Sequence, residues 1–434
     1  MADLLALSER LISEGDTETP ANRPTGELSE ISDDVAVIEA FSHVVVLSSA
    51  GVLGLVDTST SFMAPGCLAS LRSWSNDPVD TIVYTHGHVD HVGGAQTFLD
   101  NAAERGDPLP GVVGHANVEA RFDRYDLTHG YNAIINARQF GRTRLINADE
   151  SPMWPRDWVR PTTIVREQAT TRVGDLRVEL HHSLGETDDH LWGWIPDLDA
   201  VLAGDFLTWV FPNAGNPQKV QRYPKEWAAA LRDMAARRPK LLLPAHGLPI
   251  GGADLIARVL NDVADVLESL VAEVLELMNQ GARLDTIVNT VAVDPDRLAR
   301  PYLMPIYDEP EFVIRNIWRM YGGWYDGNPA RLKPPPDDVL SAEVAALAGG
   351  AAQLTARALV CSDAGDHRLA CQLIEWAVTA DNDDRAGHEA RTEIYQRRRR
   401  AERSLMAKGI YRWAGSESEH ELGRLDTGEE GSRP

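Results

Sequence analysis

Residues 80–94 read Asp80-Thr-Ile-Val-Tyr-Thr-His86-Gly-His88-Val-Asp90-His91-Val-Gly-Gly94. The run Asp80–Thr85 has the apolar, β-branched texture of a buried strand. Four side chains of ligand type, His86, His88, Asp90 and His91, follow within six residues. A strand that ends in a tight loop can aim alternate side chains at one point. Imidazole and carboxylate are the donors that suit zinc, manganese or iron(II). A lone histidine on a polar loop needs no explanation. Four donors at this spacing behind a buried strand form a metal-binding pattern.

Before this motif, Val35–Phe41, Val44–Ser48 and Val52–Asp57 are short β-rich runs bounded by small or polar residues, as in a meander. After it, Ala95–Arg105 reads as helix, and strands are expected at Val112–Gly114, Thr162–Arg166, Leu176–His181, Leu191–Ile195, Ala200–Ala203 and Leu241–Pro244. Lys225–Arg237 reads as a further helix, and the Pro- and Arg-rich stretch 120–160 as an irregular insertion or lid. In Asp254–Gln280, apolar residues recur at alternating three- and four-residue spacing and stop at Gly281, which predicts one long amphipathic helix.

The expected organisation is an N-terminal helix and arm over 1–33 and a layered α+β domain over 34–252. A long helix with a Pro/Gly/aromatic docking arm follows over 253–336. A bundle of three helices is expected over 337–413, with turns at 364–366 and 381–384, and a disordered polar tail over 414–434.

The chain has 434 residues, enough for two or three domains. It carries 42 Lys and Arg against 65 Asp and Glu, a net charge of −23. Such a surface repels nucleic-acid backbones and anionic membranes. No apolar run approaches the roughly 20 residues that span a bilayer, so membrane insertion is not expected. The start, MADLLALSERLISEGD, lacks the basic segment of a signal peptide. Three cysteines are too few for a disulfide framework, and a reducing, cytoplasmic setting is expected.

The segment His86–His91 resembles the HxHxDH motif of the metallo-β-lactamase superfamily. The later motifs can be followed residue by residue. Leu184-Gly185-Glu186-Thr187-Asp188-Asp189-His190 stands where the superfamily has a PGHTxGH-like segment, with Glu186 at the ligand histidine. Asp205 in Leu202-Ala203-Gly204-Asp205 matches the bridging carboxylate, and His246 in Pro244-Ala245-His246-Gly247 matches the last histidine. Asp57 matches a carboxylate that supports the ligands from behind.

Glu at position 186 resembles one branch, the zinc-dependent alkylsulfatases, which also join the hydrolase domain to a helical dimerisation domain. Gly323-Trp324-Tyr325-Asp326-Gly327-Asn328-Pro329 is similar to that branch's GWYDGNP signature. Asp205 departs from the branch, which commonly has Glu there. The resemblance implies an αββα sandwich followed by an all-α domain, and a homodimer.

It also implies two zinc ions per chain, with manganese or iron as alternatives. His86, His88 and Glu186 would hold the first ion, Asp90, His91 and His246 the second, and Asp205 would bridge them. Asp90 and Asp205 would thereby serve catalysis. Metal coordination brings the pKa of water from about 16 to about 7, which supplies a nucleophile at neutral pH.

The implied reaction is hydrolysis of a small sulfate ester, with alkyl sulfates as the class. A phosphodiesterase, lactonase or thioesterase on the same scaffold, or a non-catalytic zinc-binding scaffold, are the competing readings. Asn213 and Arg222, on the loop after Asp205, are the candidates to grip the ester's anionic group. Arg222 reads equally well as an ordinary surface charge and Asn213 as a turn residue, and Lys219 is read as a surface charge. Tyr325, with Trp154, Trp158, Trp192, Trp194 and Trp209, is a candidate to line an apolar channel, although alternating tryptophans such as Trp192 and Trp194 also suit a core. His190 is read as a support for the ligands, and His115, His181 and His182 as packing residues.

Overall fold

The computed structural model describes residues 3–140 and 157–424. It divides into two compact units, Met1–Thr128 with Pro152–Trp324, and His129–Ser151 with Tyr325–Pro434.

The first unit is built on two sheets. The first sheet holds β1 (Leu28–Ser32), β2 (Val35–Ile38), β3 (Val44–Ser49), β4 (Val52–Val56), β5 (Val79–Val83), β6 (Gly111–His115) and β7 (Thr163–Val165), side by side in chain order. The expected meander is present as the antiparallel pairs β2–β3 and β3–β4. From β4 onward the strands run parallel, because helices such as Ala64–Trp74 and Ala95–Arg105 carry the chain back between them.

The second sheet holds β8 (Gln168–Val173), β9 (Leu176–His182), β10 (Leu191–Ile195), β11 (Ala200–Gly204), β12 (Leu241–Pro244) and β13 (Ile250–Gly251). It is antiparallel except at β11–β12.

Alternation along the strands sends one set of valines and leucines between the sheets. Val45, Leu47, Val56, Val83, Val178, Leu180 and Leu202 belong to that central core. The opposite face of the first sheet packs on helices Ala64–Trp74, Ala95–Arg105 and Asn117–Leu127. That of the second packs on helices Leu4–Glu14, Pro224–Ala236 and Ala253–Asn279. The result is the expected four-layer αββα sandwich. Gly54 on β4 marks how closely the sheets approach, since a Cβ there would lie 2.2 Å from Val173 on β8.

The long helix runs Ala253–Asn279, and Ile256, Val259, Leu260, Val263, Val266, Leu267, Leu270, Val271 and Val274 on its predicted stripe are buried.

Several expected segments differ. The N-terminal arm contains β1, whose pairing with β2 satisfies a backbone that its polar sequence did not advertise. The stretch 120–160 is not irregular at its start: Asn117–Leu127 and His129–Gln139 are helices, while residues 141–156, Trp154 among them, lie outside the described residues. The docking arm within 253–336 contains a helix, Pro310–Gly322, that starts at a proline and buries Val313, Ile314 and Ile317.

In the second unit the bundle has more helices than the expected three. Asp337–Ala348 and Ala351–Asp363 are separated by Gly349 and Gly350, whose φ values of 90° and 117° suit glycine alone. Arg385–Ala401 and Leu405–Glu421 are separated at Ser404, whose hydroxyl accepts from Ala407 N and starts a new helix. The tail expected to be disordered from 414 is therefore helical to Glu421, and 425–434 lie outside the described residues.

Helix His129–Gln139 is grouped with this unit rather than with the sandwich. It rests on Leu405–Glu421 at Gly409, where any Cβ would meet Gln139 O at 1.9 Å. Among the described residues no single helix is long and apolar enough to cross a membrane.

Candidate metal centre

The strand ends explain why distant residues meet. In each sheet a parallel pair, β4–β5 in the first and β11–β12 in the second, delivers chemistry from its C-terminal ends. Asp57 follows β4, His86–His91 follow β5, Asp205 follows β11 and His246 follows β12. The loop between β9 and β10 adds Glu186 and His190.

Two groups of donor atoms result, His86 with His88 and Asp205, and Asp90 with His91 and His246, the atoms of each lying within 4.8 Å of one another. His86 Nε2 and His88 Nδ1 stand 2.8 Å apart, and Asp205 Oδ2 is 3.8 Å from His86 Nε2. Asp90 Oδ2 is 3.6 Å from His91 Nε2 and 3.4 Å from His246 Nε2. Asp205 reaches both groups, with Oδ2 3.4 Å from His91 Nε2 and Oδ1 3.6 Å from His246 Nε2.

Glu186 Oε1 lies 3.7 Å from His88 Nδ1. Its carboxylate is turned toward Arg222 Nη1, which pairs with it, and toward Asn213 Nδ2, which donates to it at 2.6 Å.

The donor set fits cations. His91 Nε2 and Asp205 Oδ1 are buried without a hydrogen-bond partner, a costly state for two polar atoms that face other ligand atoms. Burial drives the His86 and His88 pKa values well below the ordinary imidazole range, with the positive charges of Arg121 and Arg222 adding to the effect at His88. They are thus held neutral, the form in which an imidazole can bind a metal ion. Burial opposes charge on His91 as well, but Asp205, Asp90 and Asp57 outweigh it and raise its pKa. A dense group of carboxylates around one imidazole attracts positive charge, whether proton or metal ion.

Over this geometry, residues 39–246 match the metallo-beta-lactamase superfamily and residues 283–421 match the alkyl sulfatase dimerisation family. Residues 39–246 are a metallo-beta-lactamase domain. Among curated relatives, a linear primary-alkylsulfatase from Pseudomonas sp. is 24% identical over 381 residues, covering 85% of this chain and 72% of the relative. An (R)-specific secondary-alkylsulfatase from Pseudomonas sp. is 27% identical over 367 residues, covering 78% of this chain and 54% of the relative.

The solved stereoselective inverting sec-alkylsulfatase Pisa1 from Pseudomonas sp. superposes with a TM-score of 0.79 at 22% identity, over 92% of this chain and 66% of that one. The chain thus spans between about half and three quarters of the length of these relatives.

Within the metallo-beta-lactamase domain, the ligands rest on a second layer of bonds. Asp57 Oδ2 faces His91 Nδ1 at 2.7 Å and also accepts from the Thr85 hydroxyl, while Asp57 Oδ1 accepts from Thr85 N at 2.8 Å. His190 Nε2 accepts from Asp205 N at 3.1 Å, so the supporting role expected for His190 is the one its geometry performs. Gly204 makes this possible: its φ is +53°, and a Cβ would sit 2.5 Å from His190 Cε1.

Arg222 is only 2% exposed, which removes the reading of it as a surface charge. Lys219, expected to be an ordinary surface charge, is half-buried instead, and burial with the nearby Arg222 lowers its pKa to about 8. Its position in the chain, on a polar loop, gave no signal of that burial. Trp192, Trp194 and Trp209 are core residues rather than channel walls, and Trp209 Nε1 donates to Leu248 O at 2.7 Å. Trp158 stacks on Phe122 with ring centres 4.8 Å apart. Tyr325 opens the second unit and is 37% exposed. His115 and His182 stack at 3.9 Å and His181 stacks on Trp192, as packing residues do.

Sequence reasoning passed over Asp189 and Arg121. Arg121 is buried on helix Asn117–Leu127 and forks onto Asp189. Two consecutive aspartates between Glu186 and His190 were the available signal.

Proposed function

We propose that this protein is a hydrolase of sulfate monoesters, with alkyl sulfates as the substrate class and a pair of divalent ions, zinc being the expected metal, as its cofactor. His86, His88 and Glu186 would hold one ion, Asp90, His91 and His246 the other, with Asp205 between them. When bound, such a pair supplies a water activated at neutral pH and positive charge for the ester oxygens.

The observation that carries the reading is the company Glu186 keeps. A carboxylate stands at the corner of the His86–His88 group and is itself held by Arg222 and Asn213. The alkylsulfatase names of the relatives support the same class.

The chain's own residues do the rest. Asp57 holds His91 with Nε2 toward the centre, and His190 holds the Asp205 backbone. Arg222 Nε is buried without a partner, which leaves one donor for an ester oxygen beside the Glu186 pair. Lys219 adds positive charge to the same loop. Two divalent ions bring four positive charges and Asp90, Glu186 and Asp205 three negative ones, so a single further negative charge brings the centre to neutrality and a second overshoots it. A singly charged sulfate ester then binds with less repulsion than a phosphate dianion. One charge at a few ångströms is worth roughly 4 kcal/mol at an intermediate dielectric.

The test is hydrolysis of matched alkyl sulfate, alkyl phosphate and lactone substrates by zinc-loaded protein. Faster turnover of the phosphate than of its matched sulfate would overturn the reading.

A homodimer formed through the helical unit is part of the proposal, supported by the dimerisation-family match over 283–421. Sedimentation as a monomer at micromolar concentration would count against it. A cytoplasmic location is proposed on cysteine content alone.

A further inference from the structure

The His86-Gly87-His88 loop has no regular structure of its own, yet it carries two donors whose aim must hold to within a fraction of an ångström. The N–H of Gly87, the one residue between the two histidines, points at a side chain 102 residues later: it donates to Asp189 Oδ2 at 2.9 Å. That carboxylate is fully buried and is gripped by a forked guanidinium. Arg121 Nε donates to Oδ2 at 2.9 Å and Nη2 to Oδ1 at 2.8 Å. The Arg121 helix is tied to the same loop a second time, where Asn117 Nδ2 donates to Asp188 O at 3.0 Å. On either side of Asp189 stand Glu186, three residues before it, and His190, which holds the Asp205 backbone.

We propose that Asp189, locked by Arg121, is a positioning residue for the His86–His88 half of the metal centre, fixing the Gly87 peptide and through it the aim of both imidazoles. The inference rests on the reading of these residues as a metal site.

A buried ion pair that only joined a helix to a loop would need no third bond. Asp188, 43% exposed at its side chain, also pairs with Arg121 and has no bond to the ligand loop. Asp189 differs in spending one oxygen on Gly87. The fit is close on that side. A Cβ on Gly87 would stand 2.9 Å from Asp189 Oδ2 and 3.0 Å from Arg121 Cδ. The Asp90–His91–His246 group is held differently, through Asp57. Asp57 also reaches His86 through the Thr85 hydroxyl, which stands 3.0 Å from His86 Nδ1, whereas the Asp189 side chain bonds only to the His86–His88 side of the centre, so its loss should be felt chiefly by one ion.

The experiment is a zinc titration of metal-free full-length protein, read by competition with a chromophoric chelator, for wild type and four variants. Wild type should take up two ions. Asp189→Ala should weaken one ion by about 10- to 100-fold, the usual scale for a lost outer partner of a metal ligand. The affected ion should be the one also lost in His88→Ala, and the other should stay within about threefold. Gly87→Ala, which presses on the same contact while leaving both charges in place, should weaken the same ion. Asp188→Asn should change neither.

An Asp189→Ala protein that binds both ions as tightly as wild type would overturn the inference. So would equal weakening of both ions in step with a lower melting temperature, which marks a merely structural pair. Wild type that takes up fewer than two ions would overturn the reading of the centre itself, and the inference with it.

Discussion

Arg222 Nη1 forms a buried ion pair with Glu186 Oε1 and also donates to the Glu186 backbone carbonyl at 3.3 Å. Both side chains are almost wholly shielded from water. Removing one member of such a pair leaves the other as an uncompensated charge, at a cost of about 3–5 kcal/mol. Arg222→Ala should therefore lower stability and slow turnover, of charged esters more than of uncharged ones. Arg222→Ala with Glu186→Gln should recover most of the stability, because no charge is then stranded. A double-mutant cycle on thermal melts checks this. Additive losses would show that the two residues are not coupled.

His91 depends on Asp57, which sits at the end of β4 with φ of 61°. Asn tolerates that backbone region, so Asp57→Asn changes the charge with little strain. The variant should keep the wild-type fold, as read by circular dichroism. Zinc at the Asp90–His91–His246 group should bind about 10- to 100-fold more weakly. Competition with a chelator measures it.

Gly204→Ala should be among the most damaging small changes in the first unit. The backbone there is left-handed and a Cβ would strike His190 at 2.5 Å. The left-handed conformation alone costs about 1–2 kcal/mol for an L-residue, and the clash adds to it. Melting of the variant should fall by several degrees, and metal uptake should fall with it as Asp205 shifts.

Asp308 gives a pH signature of its own. Burial raises its pKa to about 7 against the pull of two backbone donors, Gly215 N at 2.6 Å and Glu309 N at 2.7 Å. A carboxyl whose pKa is higher folded than unfolded binds more protons in the folded state. Its contribution to stability is thus full below about pH 4 and is lost as pH rises toward 7. Asp308→Asn removes the proton equilibrium. The stability of wild type relative to the variant should fall across that window, by up to roughly 1.4 kcal/mol per pH unit. Denaturant melts of both proteins from pH 4 to 8 give the difference directly.

Near-neutrality of the centre predicts substrate choice. A matched alkyl sulfate should exceed the alkyl phosphate by about tenfold to a thousandfold in kcat/KM, the range left after the metal charges offset part of the repulsion. Steady-state kinetics on the pair measures the ratio.

The sequence by itself carried everything that is local. The spacing of His86, His88, Asp90 and His91 behind an apolar strand pointed to metal ligation. Short β-rich runs bounded by small or polar residues marked the meander, and the three-four spacing of Ile256 to Val274 marked the long helix. Such patterns are written in neighbouring residues because backbone geometry repeats over two or about four positions.

What depended on contacts between distant residues was decided only by tertiary structure. β1 was illegible because its polar residues become a strand through pairing with β2. Lys219 looked like a surface charge and Arg222 could be read as one, since nothing in their neighbours announces a buried carboxylate at Glu186. The bond from Gly87 to Asp189 spans 102 residues. No local periodicity encodes it, because it exists only where two sheets bring their loops together.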